Sequence, residues 1–161
     1  MKKVMSIVLI LALLFTFGCQ SGPKAPQEEV GDLKETMEQI VKDAGFPEML
    51  EDGYFLDELD QEEAGFLIGA ESLDGKIAEA YGLQPMINVN PFAMGIFRVA
   101  EGGDAVAFAK ELKEKADLRK WICVEAETMA AASKGDAVFF VMGSRDEVTK
   151  LLEASGFTPV A

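Results

Sequence analysis

Residues 129–148 read Met-Ala-Ala-Ala-Ser-Lys-Gly-Asp-Ala-Val-Phe-Phe-Val-Met-Gly-Ser-Arg-Asp-Glu-Val, and this stretch decides the fold. Lys134, Gly135 and Asp136 supply a turn between two runs of extended character. The second run, residues 137–142, is apolar on consecutive positions rather than alternating, which is the pattern of a central strand covered on both faces. Ser144 and Glu147, three residues apart, form a capping box that opens a closing helix carrying Val148, Leu151 and Leu152. Gly156 ends that helix and Pro159 lies beyond it.

The same punctuation continues upstream. Gly102, Gly103 and Asp104 introduce a helix whose apolar face is Ala105, Phe108, Ala109, Leu112 and Ala116. Residues 76–83, 86–89 and 94–100 read as extended, with a bend at Asn90 and Pro91, and residues 121–126 read as extended before the decisive hairpin. Leu33, Met37, Ile40, Val41 and Ala44 recur on one helical face, with Asp32 as the cap and Gly45 to Pro47 as the stop. Residues 49–70 mix acids with apolar residues and read as one or two short helical turns. Helices and hairpin-joined strands in this order predict an α+β fold: a small, mostly antiparallel sheet with helices packed on it.

The chain opens Met1, Lys2, Lys3 and is then apolar from Val4 to Phe17 apart from Ser6 and Thr16, before Gly18, Cys19, Gln20 and Ser21. A basic start, an apolar stretch and a small residue before a cut are the parts of a secretory leader. The apolar run is shorter than the roughly 20 residues needed to cross a bilayer. Cysteine directly after the small residue resembles the lipobox of bacterial lipoproteins, although Thr16 and Phe17 stand where that pattern prefers leucine and a small residue. The expected division is therefore residues 1–18 as a cleaved lipoprotein signal peptide, 19–31 as a lipidated flexible linker, and 32–161 as a single α+β domain. Cleavage falls between Gly18 and Cys19, and two acyl chains on Cys19, at about 0.8 kcal/mol per buried methylene, anchor stably where one does not. An uncleaved anchor, or plain secretion with Cys19 as a chance thiol, is the alternative. The expected location is the outer face of the cytoplasmic membrane.

The linker holds Gly22, Pro23 and Pro26 and shows no apolar periodicity; about 12 residues give it a reach of roughly 20 Å. The full chain of 161 residues carries a net charge of −13. Losing residues 1–18 removes Lys2 and Lys3 and no acid, leaving 13 basic and 28 acidic side chains, a charge of −15. Such a surface repels nucleic-acid phosphates and anionic headgroups, so nucleic acid is excluded as a partner. With Cys19 assigned to lipid, Cys123 stands alone in Trp121, Ile122, Cys123, Val124, and a chain with no histidine cannot pair it in a Cys/His dyad. Free cysteine is among the most buried residue types, so Cys123 is expected in the core.

The lipoprotein leader, the stretch Gln84, Pro85, Met86, Ile87, Asn88, Val89 and the Gly135–Asp136 hairpin resemble an uncharacterised lipoprotein family of Gram-positive bacteria, known as a domain of unknown function. Arg119, Lys120, Trp121, Ile122, Cys123, Val124 is the most distinctive string. The resemblance implies a surface-attached α+β domain and transfers no activity and no site.

Gly102, Gly103 and Asp104 lack the lysine of a phosphate loop, and Asp104 caps the helix itself. The acids Asp57, Glu58, Asp60, Glu62 and Glu63 do not fit a calcium loop and read as a charged helical face. No cofactor, metal site or catalytic residue is expected. Asn88, Asn90, Arg98 and Arg119, polar groups set beside strands, are the candidates for a contact surface. The expectation is a non-catalytic module, lipid-anchored to the membrane, that binds a protein, a wall polymer or a small ligand. The alternative is a small carboxylate-dependent hydrolase acting on the cell envelope, which needs two close acids in a cleft.

Overall fold

The computed structural model describes residues 29–87 and 89–161; the segment expected to be a signal peptide, the expected cleavage site at Gly18 and Cys19, most of the expected linker, and Asn88 lie outside the described residues. Helix α1 (Leu33–Asp43) begins at Asp32, whose carboxylate accepts from the Glu35 amide. One 3-10 turn (Pro47–Leu50) leads to strand β1 (Tyr54–Glu58) and helix α2 (Gln61–Ile68). Strands β2 (Ile77–Pro85) and β3 (Ala93–Val99), helix α3 (Ala105–Lys115), strands β4 (Thr128–Lys134) and β5 (Ala137–Gly143), helix α4 (Arg145–Ser155) and the short strand β6 (Thr158–Pro159) complete the chain.

The strands form one antiparallel sheet in the order β1-β2-β3-β5-β4-β6. Together with the four helices this is an α+β fold, in agreement with the sequence pattern. Every residue of β5 is buried, and its side chains alternate between two cores. Val138, Phe140 and Met142 face α2 and α3, packing with Leu67, Ile68, Phe108 and Leu112. Ala137, Phe139 and Val141 face α1 and α4, packing with Leu33, Met37, Val41 and Leu151. The run of consecutive apolar residues is thus the middle layer of three. Each fully buried phenylalanine here contributes about 1.5–3 kcal/mol over an exposed one.

The Gly135–Asp136 turn joins β4 to β5 as expected, with Lys134 paired to Ala137 across it. Gly135 has φ of 57° and Asp136 does not have positive φ, the pattern in which glycine takes the first turn position so that the twist of the two strands is kept. Both expected capping residues are in place: Asp104 accepts from the Val106 and Ala107 amides, and Ser144 and Glu147 close a capping box.

Three local expectations are corrected. Residues 49–70 are not only helical, because Tyr54–Glu58 pairs with β2; Asp57 and Glu58 therefore sit on an edge strand rather than a helical face. Met86, Ile87 and Val89 are not in a strand. Pro85 is the last ladder residue, the Met86 amide donates to the Gly53 carbonyl, and the Val89 amide turns back to Ile87. Residues 121–126 form an irregular loop, since the place beside β4 that a strand would take is held by β6, with Ala132 paired to Pro159.

Candidate functional site

Arg98, the last-but-one residue of β3, is turned toward the α1 and α4 side and donates to everything within its reach. Its Nε meets Glu79 at 3.1 Å, one terminal nitrogen meets Asp136, and the other donates to the Val30 and Gly31 carbonyls, each at 2.8 Å. Asp136 closes the ring by accepting from the Val30 amide at 2.9 Å. Burial works against the guanidinium charge, but Asp136 and Glu79 outweigh it and hold the Arg98 pKa above its ordinary value. Arg98 is therefore a clamp that fixes where the chain joins the fold.

Of the four residues expected to share a contact surface, Asn88 lies outside the described residues and the other three do not converge. Asn90 is half-buried, its Nδ2 donating to the Tyr54 hydroxyl at 3.3 Å, and it lies at the opposite end of β3 from Arg98. Arg119 is exposed in the loop after α3, paired with Glu125 at 3.3 Å, and its neighbour Asp117 donates an amide to the Ile68 carbonyl of α2, on the other face of the sheet from Arg98's partners.

An open hollow of about 500 Å³ is lined by Glu58, Asp60, Glu63 and Glu79 together with Gln61. Asp60 accepts from the Glu62 and Glu63 amides, Glu63 accepts from the Asp60 amide, and Glu79 pairs with Arg98. Three of those four carboxylates thus have structural partners. Among the described residues no group of three or more acids or cysteines is arranged to hold a metal ion.

Lys120 occupies the most unusual environment. Its ammonium donates to the Phe66 and Leu67 carbonyls, at 3.2 and 2.6 Å, and stands 5.3 Å from the centre of the Phe66 ring and 5.1 Å from that of Trp121. Carbonyls at the C-terminal end of a helix attract cations, so Lys120 closes α2 from outside. Burial pushes its pKa down to about 8. Beside it lies a hollow of about 310 Å³ lined by Phe66, Gly69, Ala70, Glu71 and Asp117.

Cys123 is exposed, contrary to the expectation of a core thiol. The loop is held down by Trp121 and Ala126, both buried, and by Val124, partly buried against the same core, while Ile122 is wholly accessible.

The surface that the sequence pattern missed lies at the end of the sheet away from Arg98. Met86, Ile87 and Val89, in the loop from β2 to β3, are 53, 68 and 73% exposed. Phe55 is also exposed on β1, opposite Gln84 in the ladder. The base of this tip is fixed: Phe92 is fully buried, makes an edge contact with the Tyr54 ring, and donates its amide to Asn90. The signal was present in the apolar stretch itself, which reads as a strand until Pro85 is placed at the end of the ladder. Compared with family models, curated proteins and solved structures, the chain gives no match.

Proposed function

We propose that this chain is an extracytoplasmic lipoprotein, cut before Cys19 and held to the membrane by lipid, whose folded part is a non-catalytic binding module. The leader, the cysteine after Gly18 and the resemblance of the chain to a lipoprotein family support the anchor. The single observation that carries the binding reading is the exposed apolar tip Met86, Ile87 and Val89 at one pole of an otherwise acidic molecule. Exposed apolar groups gathered in one place mark contact sites more often than scattered ones do.

The position of the clamp supports the same reading. The chain joins the fold at Val30 beside Arg98 and Asp136, one strand length from the tip, about 20 Å at 3.4 Å per residue. A tether leaving from Val30 joins the fold at the end opposite the tip. Cells fed a palmitate analogue that can be tagged should label the wild-type chain and not Cys19→Ala. An acylated Cys19→Ala protein would overturn the anchor.

A further inference from the structure

We infer that the tip formed by Met86, Ile87 and Val89 seats in an apolar concavity, rimmed by basic residues, on a partner protein. The inference rests on the binding-module reading and supplies its contact surface and the chemistry of the partner. From Ala80 to Phe97 the chain carries no Asp, Glu, Lys or Arg, although the molecule as a whole has a net charge of −13. Drying this loop therefore strips water from no formal charge, which is the largest cost of closing a contact. The two ends of the tip are fixed by the Met86–Gly53 bond, the Asn90–Tyr54 bond and the buried Phe92, so less conformational freedom is lost there on docking.

The charge around the tip decides among occupants. Gly53, which accepts from Met86, follows Glu51 and Asp52, both exposed, and Glu48 is exposed one turn earlier. Acids flanking an apolar point complement a basic edge beside an apolar pocket. They are repelled by anionic headgroups, which disfavours a lipid surface. They also oppose a second copy of the chain docking tip to tip, which would bring like charges together.

The test places a photoreactive amino acid at position 87, or at position 122 for comparison, in the full-length anchored chain in intact cells. Illumination from position 87 should join the chain to one identified protein, and that protein, purified, should bind the full-length chain in detergent micelles. Ile87→Asp and Val89→Asp should each weaken binding tenfold or more while leaving the thermal midpoint unchanged, and binding should weaken as salt rises. Unchanged affinity in both variants would overturn the inference, as would crosslinks only to a second copy. Flotation with phosphatidylcholine vesicles that is lost in Ile87→Asp would overturn it in favour of lipid. A partner joined from position 122 and not from 87 would sink the tip and leave the binding module standing; no partner from either position would sink both.

Discussion

Gly82 of β2 and Gly95 of β3 are direct partners across the ladder, and together they make the floor on which Leu67 of α2 rests. A β-carbon on Gly95 would lie 2.8 Å from a Leu67 methyl and 2.5 Å from the Phe97 ring; one on Gly82 would lie 3.2 Å from Leu67 and 2.7 Å from Leu59. Two adjacent positions without side chains let α2 sit close over the sheet. Gly95→Ala should therefore cost about 1–3 kcal/mol by overpacking. Urea denaturation should show the midpoint lowered at unchanged slope, and an unchanged midpoint would mean that α2 can lift at no cost.

Glu111 of α3 ties down the loop before β2, accepting from the Asp74 and Gly75 amides at 2.5 and 2.9 Å with Lys115 at 2.9 Å. Burial raises its pKa, but the two amides and the Lys115 ammonium outweigh burial and hold it below the ordinary glutamate value. Its contribution is therefore complete above the ordinary range, about pH 4.3, and is lost as pH falls through the depressed folded value. Glu111→Gln should lower stability at pH 7 and flatten the acid limb of the stability profile. An acid limb as steep as that of the wild type would assign the effect to other carboxylates.

Lys120 acts at the alkaline end of the pH scale and in the same sense, because its pKa too is lowered on folding. Burial lowers its pKa to about 8, so between about pH 8 and the ordinary lysine value of about 10.4 the unfolded chain holds a proton that the folded chain has released. Stability from this group should rise with pH across that window. Lys120→Met should abolish the rise, as measured by denaturation at pH 7.5 and pH 10; a persistent rise would place its origin elsewhere.

Replacing Arg98 by methionine leaves Asp136 without its cation and the Val30 and Gly31 carbonyls without a donor. Hydrogen bonds to a charged group are worth about 1.5–3 kcal/mol, and a loss of that order is expected. Faster amide exchange at Val30, with α3 unaffected, should accompany it. If Val30 exchanges as in the wild type, Asp136 alone secures the chain.

Cys123 should react with a maleimide in the native protein within minutes, at a rate close to that in denaturant, because it is exposed. Cys123→Ser should remove the label. A thiol that reacts only after unfolding would return Cys123 to the core.

The elements with redundant local signals were legible in the sequence. α1, α3 and α4 each carry a capping residue before an apolar stripe, and the Gly135–Asp136 turn sits between two apolar runs. β1 was not legible, because only Tyr54, Phe55 and Leu56 are apolar before Asp57 and Glu58 begin, and the strand is defined by its partner β2. Residues 86–89 and 121–126 misled for a shared reason. Their apolar content resembles that of a strand, yet they fall outside the ladders of the sheet, and this depends on long-range pairing. Of the candidate contact residues, Arg98 could not be read correctly without Asp136 and Val30 beside it, since nearly 40 residues separate Arg98 from Asp136 and nearly 70 from Val30.

The clamp has a mechanical side. A pull on the chain at residue 29 does not reach α1 first. It is taken up by Asp136, in the turn between β4 and β5, and by Arg98 at the end of β3, and so passes into the middle of the sheet. The helix downstream of the pull is shielded from peeling, and the load passes to strands that are hydrogen-bonded on both sides.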